Sequence, residues 1–168
     1  MKRFLWGLVI GVVAVLAGEL LFMTQGGMPV STRGNPLPLE RFLADRALHA
    51  AVGKEANRTS PLPADEANLL AGAKVYQNNC AVCHGLGEEA QRSAIAVGMY
   101  PPPPALLETD KGVTDDPVGE TFWKVKNGIR LTGMPRFDGA LSEEEMWQVT
   151  LLLQKADDLS PAVRRVLK

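Results

Sequence analysis

Only two cysteines and two histidines occur in the 168 residues of this chain. Both cysteines fall within one short stretch, so none remains for a disulfide or a four-cysteine zinc site. Charge of one sign is also lacking. The net value is -1, which removes any strong case for nucleic acid as a partner. There is no internal repeat and almost no alternating strand pattern, so neither a solenoid nor a sheet has support. What remains is an ordinary globular composition, 46% hydrophobic and 22% charged, its apolar share inflated by the first two dozen residues. The charge is sorted unevenly. Residues 1–64 carry seven Lys/Arg against four Asp/Glu, whereas residues 65–168 carry eleven against fifteen.

The cysteines stand in the run Cys80-Ala81-Val82-Cys83-His84. A C-x-x-C-H run reads as a c-type haem attachment site. Two thiols on one helical turn can each bond to a haem vinyl group, and the next residue offers an imidazole to the iron. A zinc site would need two further ligands, and the only other histidine, His49, lies far upstream. A redox dithiol is the remaining alternative.

Upstream, Met1-Lys2-Arg3 precedes an apolar run from Phe4 to Met23 broken only by Glu19. About twenty apolar residues suffice for a helix to cross a bilayer. The basic residues before it, with only Arg33 soon after, put the N-terminus in the cytoplasm and the rest outside. Cleavage after Ala17, at the small-residue pattern Val15-x-Ala17, is the alternative. A run that continues to Met23 favours a retained anchor. Either way the domain is exported, which suits covalent haem attachment.

Four segments follow from punctuation and periodicity: a signal anchor at 1–24, a spacer at 25–64, a haem domain at 65–160 and a short basic tail at 161–168. Within the spacer, Leu39 to Asn57 reads as a helix with Leu39, Phe42, Leu43 and Ala47 on one face. His49 there reads as a solvated side chain. Leu69, Gly72 or Ala73, and Tyr76 recur at helical spacing before Cys80. Gly72 is costly inside a helix unless a close crossing compensates. Gly85 and Gly87 allow a tight turn after His84, and residues 88–100 read as a loop. The prolines 101–104 enforce an extended approach whose carbonyls are free to accept the Nδ1–H of His84. Further helices are expected from about Pro117 to Asn127 and, after the capping box Ser142-Glu143-Glu144-Glu145, to about Asp157. The domain reads as all-α.

A haem with His on one side needs a decision about the other. A thioether there favours ferrous iron and suits electron transfer, whereas an open site suits gas binding or peroxide chemistry. Met1 and Met23 belong to the anchor, Met28 to the spacer, and Met146 to a helix interior. Met99 follows His84 closely, in a loop expected to pack on the proximal side. Met134 is held outside a helix by Gly133 and Pro135, with enough chain before it to reach the distal face. It is the expected second ligand.

Together these residues resemble a class I cytochrome c over about residues 65–157. The resemblance rests on Cys80-x-x-Cys83-His84-Gly85, Pro104-x-Leu106, Gly133-Met134-Pro135 and a final amphipathic helix. It implies a small all-α fold wrapped on one covalently bound haem c, with the first and last helices crossing. Gly72 and Tyr76 match the family's glycine and aromatic on the first helix, with partners near Val149 and Leu152 and Trp147 alongside. It also implies that the Pro104 carbonyl bonds His84 and that Leu106 packs against the haem. The polyproline approach and the long spacer depart from the minimal domain.

The expected function is electron transfer by a single haem, not catalysis. The domain would sit on the periplasmic side of the inner membrane, held by one N-terminal span, or free in the periplasm if that span is cleaved. Its partners would be a donor complex and a terminal oxidase, reductase or soluble carrier. An electron-entry subunit of a larger membrane oxidoreductase is an alternative, and a haem sensor or enzyme with an open distal site a weaker one. Residues 120–140 hold Lys124, Lys126, Arg130 and Arg136 against Glu120 and Asp138, a basic segment suited to steering an acidic partner.

Overall fold

Several helices begin where a side chain can satisfy amide groups that a first turn leaves free. Asp65 accepts from the Asn68 amide ahead of Glu66–Asn79. Ser142 and Glu145 form a reciprocal capping box ahead of Glu143–Gln154. Ser160 accepts from the Val163 amide ahead of Pro161–Val166, with proline in the first helical turn. In chain order the helices are α1 (Lys2–Thr24), α2 (Glu40–Val52), α3 (Glu66–Asn79), α4 (Ala81–His84), α5 (Ala94–Val97), α6 (Val118–Asn127), α7 (Glu143–Gln154) and α8 (Pro161–Val166). Short 3-10 turns occupy Gly53–Asn57 and Ala156–Asp158. The computed structural model describes residues 1–87, 93–108 and 112–168, and no strand occurs among them. The all-α expectation holds.

The chain divides into two units, Met1–Glu40 and Arg41–Lys168. The first is dominated by α1, whose 23 residues are long and apolar enough to cross a membrane. At about 1.5 Å per residue such a helix reaches roughly 35 Å, against a hydrocarbon core of about 30 Å. No α1 side chain is buried within the protein. The helix stops where the Thr24 hydroxyl donates to the Leu20 carbonyl and Gly26 takes a positive φ of 82°.

The second unit is built on the crossing of α3 and α7. A Cβ on Gly72 would run into the backbone carbonyl of Gln148 and meet Leu152 Cβ at 3.2 Å. Only glycine lets the two backbones come this close, which answers its cost inside a helix. Tyr76, Trp147, Val149 and Leu152 are fully buried around the crossing. Each such side chain is worth about 1.5–3 kcal/mol of apolar burial. Helix α6 also packs on α7, with Phe122 stacked on Trp147 at 3.8 Å between ring centroids.

The ends of this unit differ from the sequence reading. Residues 41–64, expected to act as spacer, lie in the same unit as the cysteines. The turn Gly53–Asn57 packs on α6, and Gly119 faces the carbonyls of Glu55, Ala56 and Arg58 with no room for a side chain. Arg58 pairs with Glu143 at 2.5 Å and lies 4.8 Å over the Phe122 ring. In α2 the expected apolar face points outward: Phe42, Leu43 and Ala47 are exposed, and Val52 is the buried residue; Leu39, also exposed, lies just before the helix. Periodicity located a stripe, but α2 meets the domain only toward its C-terminal end. The expected basic tail forms α8, which packs on α3 through buried Val163 and Leu167. Part of the expected loop 88–100 is helical, as α5; residues 88–92 lie outside the described residues.

Candidate haem site

Helix α3 delivers the cysteines. It ends at Cys80, whose amide still bonds the Tyr76 carbonyl at 2.8 Å, and α4 continues at once, with the His84 amide on the Cys80 carbonyl at 3.0 Å. Cys80 and Cys83 are therefore one turn apart, both free thiols and both half-buried. Burial, with Cys83 nearby, pushes the Cys80 thiol up to about 12. Among the described residues no group of three His, Cys, Asp or Glu is placed to hold a metal ion.

Two hydrogen bonds pin this turn from outside. The Tyr76 hydroxyl donates to the Gly85 carbonyl at 2.8 Å, where Gly85 turns with φ 78°. The Ser93 hydroxyl donates to the Val82 carbonyl at 2.5 Å, fastening the start of α5 to the turn. Sequence reasoning missed both roles. Tyr76 was visible as a helix-spaced aromatic, but nothing local indicates where its hydroxyl goes, and Ser93 carries no signal at all.

His84 Nδ1 lies 2.7 Å from the Pro104 carbonyl. Burial lowers the imidazole pKa, with the Pro104 bond acting in the opposite direction. The neutral ring then donates through Nδ1–H and keeps the Nε2 lone pair available for a metal. Leu106, two residues on, is buried in the apolar core.

Met134 is half-buried and packs against the same core. Its loop is closed by its own bonds. The Ile129 amide reaches the Met134 carbonyl at 3.2 Å, the Thr132 hydroxyl donates to the Ile129 carbonyl at 2.7 Å, and the Met134 amide donates to the Thr132 hydroxyl at 3.1 Å. Gly128, at φ 67°, starts the loop with the backbone of Pro135 and Arg136 pressed against it. The Phe137 amide returns to the Val125 carbonyl at 3.1 Å, fastening the loop to α6. Met99 is not confined to the surroundings of His84, since its side chain lies against Gly133.

The basic segment read from the sequence is weaker than its charge count. Lys124 pairs with Glu120 at 2.7 Å and with Asp116 at 3.2 Å. Arg136 lies 3.4 Å from Asp138.

The donor set fits a haem: two thiols on one turn, a neutral imidazole with its tautomer set by a carbonyl, and a thioether on an ordered loop. Comparison with known proteins agrees. The family model described as "Cytochrome C oxidase, cbb3-type, subunit III" matches residues 67–152. Cytochrome c6 of Limnospira maxima is 34% identical over 82 residues, covering 49% of this chain and 85% of that protein. The quinohemoprotein alcohol dehydrogenase ADH IIB of Pseudomonas putida is 28% identical over 99 residues, which is 58% of this chain but only 12% of the dehydrogenase. The all-helical fold, the C-x-x-C-H turn and these matches converge on one conclusion: the chain belongs to the c-type cytochrome family described as cbb3-type oxidase subunit III, a class I, haem c-binding electron-transfer fold.

Proposed function

We propose that this chain is a membrane-tethered, single-haem electron carrier whose haem domain works on the periplasmic side of the inner membrane. It would pass single electrons from a donor complex to a terminal oxidase, reductase or soluble carrier. The bound haem supplies the Fe(II)/Fe(III) couple. Cys80 and Cys83 would hold it covalently, His84 and Met134 would ligate its iron, Pro104 would set the His84 tautomer, and Leu106 would pack against the group.

The observation that carries this reading is the 2.7 Å contact between His84 Nδ1 and the Pro104 carbonyl. It leaves the Nε2 lone pair free for a metal, as in histidines that bind one, whose other ring nitrogen donates to a carbonyl or carboxylate. A thioether ligand from Met134 would raise the potential and compete with exogenous ligands. The apolar length of α1 supports the tether.

Haem staining after denaturing electrophoresis tests the attachment: the Cys80→Ala, Cys83→Ala double variant should lose all stain. Met134→Ala should remove the weak near-infrared sulfur-to-iron band of the oxidised protein, lower its potential and let the reduced form bind carbon monoxide. Carbon monoxide binding by the unaltered reduced protein at neutral pH would instead indicate an open site. An alkaline carbonate wash should leave the protein in the membrane fraction; a mature N-terminus at Gly18 would mean cleavage.

The matched family description favours a second reading, an electron-entry subunit of a larger membrane oxidoreductase. Stoichiometric co-purification with a multisubunit complex under mild detergent separates this from a free-standing carrier.

A further inference from the structure

Gly133 has no conformational reason to be glycine. It is absent from the positive-φ glycines, which are Gly26, Gly34, Gly53, Gly85, Gly87 and Gly128. The reason is space. A Cβ on Gly133 would collide with Met99 Cε, and the next nearest atoms are Met99 Sδ at 3.3 Å and Met99 Cγ at 3.6 Å. All three belong to one side chain, and Met99 is half-buried. The two ends of this contact lie in different places. Met99 follows α5, whose first turn is tied to the Cys80–His84 turn by the Ser93–Val82 bond. Gly133 directly precedes Met134 in a loop otherwise held by its own hydrogen bonds and by its return to α6. A thioether, unbranched and polarizable, suits a contact made across such a gap.

We propose that Met99 is a positioning residue: its side chain seats on Gly133 and clasps the Met134 loop to the segment anchored on the haem-attachment turn, holding Met134 in place as a ligand. The absent side chain at Gly133 makes the seat. This rests on the reading of Met134 as the second axial ligand.

The test uses the full-length, haem-loaded protein in its oxidised form, titrated with imidazole as a competitor of Met134. The near-infrared band reports Met134 coordination. An exogenous ligand that needs the loop open binds with an affinity scaled by the open fraction. Met99→Ala should therefore raise the apparent imidazole affinity by roughly three- to tenfold. Met99→Leu, which keeps the bulk, should stay near the unaltered value. Gly133→Ala should mimic Met99→Ala by evicting the side chain, yet add little when combined with it. In a Met134→Ala background imidazole should bind far more tightly, and Met99→Ala should then change nothing further. Unaltered affinity in both Met99→Ala and Gly133→Ala, with the band lost in Met134→Ala, would overturn the clasp and leave the ligand reading standing. An effect of Met99→Ala that persists undiminished without Met134 would also overturn it. A band lost in Met99→Ala but kept in Met134→Ala would overturn the ligand reading itself, and the clasp with it.

Discussion

The α3–α7 crossing and the 128–137 segment are held by opposite means. At the crossing, backbone meets backbone at Gly72 and Gln148 among fully buried aromatic and aliphatic side chains. In the 128–137 segment, a few individual hydrogen bonds and one flexible thioether close a loop whose Leu131 is 94% exposed at φ 62°. The first arrangement resists change because close-packed interiors have no slack. The second can shift at small cost, which suits the loop proposed to offer Met134 as a ligand. Glycines occur in both regions, but for different reasons. Gly72 yields to a rigid carbonyl, whereas Gly133 yields to the end of a side chain that can move.

That contrast is sharpest under the same substitution. Gly72→Ala should destabilise the domain by about 2 kcal/mol, since overpacking against the Gln148 backbone, which cannot swing aside, costs about 3 kcal/mol, the upper end of the usual range, and a helix-propensity gain of about 1 offsets only part of it. For a domain of about 100 residues this lowers Tm by roughly 10 °C. Gly133→Ala should leave Tm almost unchanged. Equal losses in thermal melts of the two variants would erase the distinction.

Lys124 carries the comparison to charge. Removing it as Lys124→Met leaves Glu120, 7% exposed, without its closest cation. A loss of about 1–2 kcal/mol is expected, below the about 3–5 of a fully buried pair because solvent screens part of the interaction. Burial disfavours the ammonium, but the bonds and charges of Glu120 and Asp116 outweigh it, so the Lys124 pKa is raised. A raised folded pKa stabilises fully below the ordinary lysine value of about 10.4 and is lost as pH rises through the folded value. Urea melts should therefore show the gap between Lys124→Met and the unaltered protein closing in strong alkali. A gap independent of pH would assign the loss to packing.

The capping box is a local device, and its loss should be smaller. Ser142→Ala should cost about 1 kcal/mol at neutral pH, the usual value for an N-cap. Hydrogen bonds from the Ser142 amide and hydroxyl lower the Glu145 pKa. This contribution is present above the ordinary carboxylate range and fades as pH falls through the folded value. Chemical denaturation near neutrality and in acid should show the difference between the two proteins narrowing in acid.

The smallest effect concerns partner encounter. With Lys124 committed to its ion pairs, the steering charge of the segment reduces to Lys126 and Arg130, with Arg136 partly offset by Asp138. Lys126→Glu with Arg130→Glu should slow electron transfer to an acidic partner at low salt without moving the potential. The rates should converge near 1 M salt, where the screening length is about 3 Å. Stopped-flow rates flat in ionic strength would remove this segment as a docking surface.

The attachment turn was legible in the sequence because its chemistry is local: two thiols one helical turn apart followed by an imidazole need no distant residue to be recognised. The same holds for α1, a continuous apolar run, and for the cap of α7, whose residues lie within one turn. Gly72 was legible as an anomaly, since an expensive residue inside a helix demands a compensating neighbour. The other features belong to tertiary structure. Phe42 and Leu43 marked a stripe on α2, but periodicity cannot say what covers it, and both side chains are exposed. Lys124 counted as free charge until the fold brought Asp116 beside it and drew Glu120 into burial. Met99 and Gly133 meet although nothing links them locally in sequence. Such pairings depend on how remote segments pack, and no local pattern of residues encodes them.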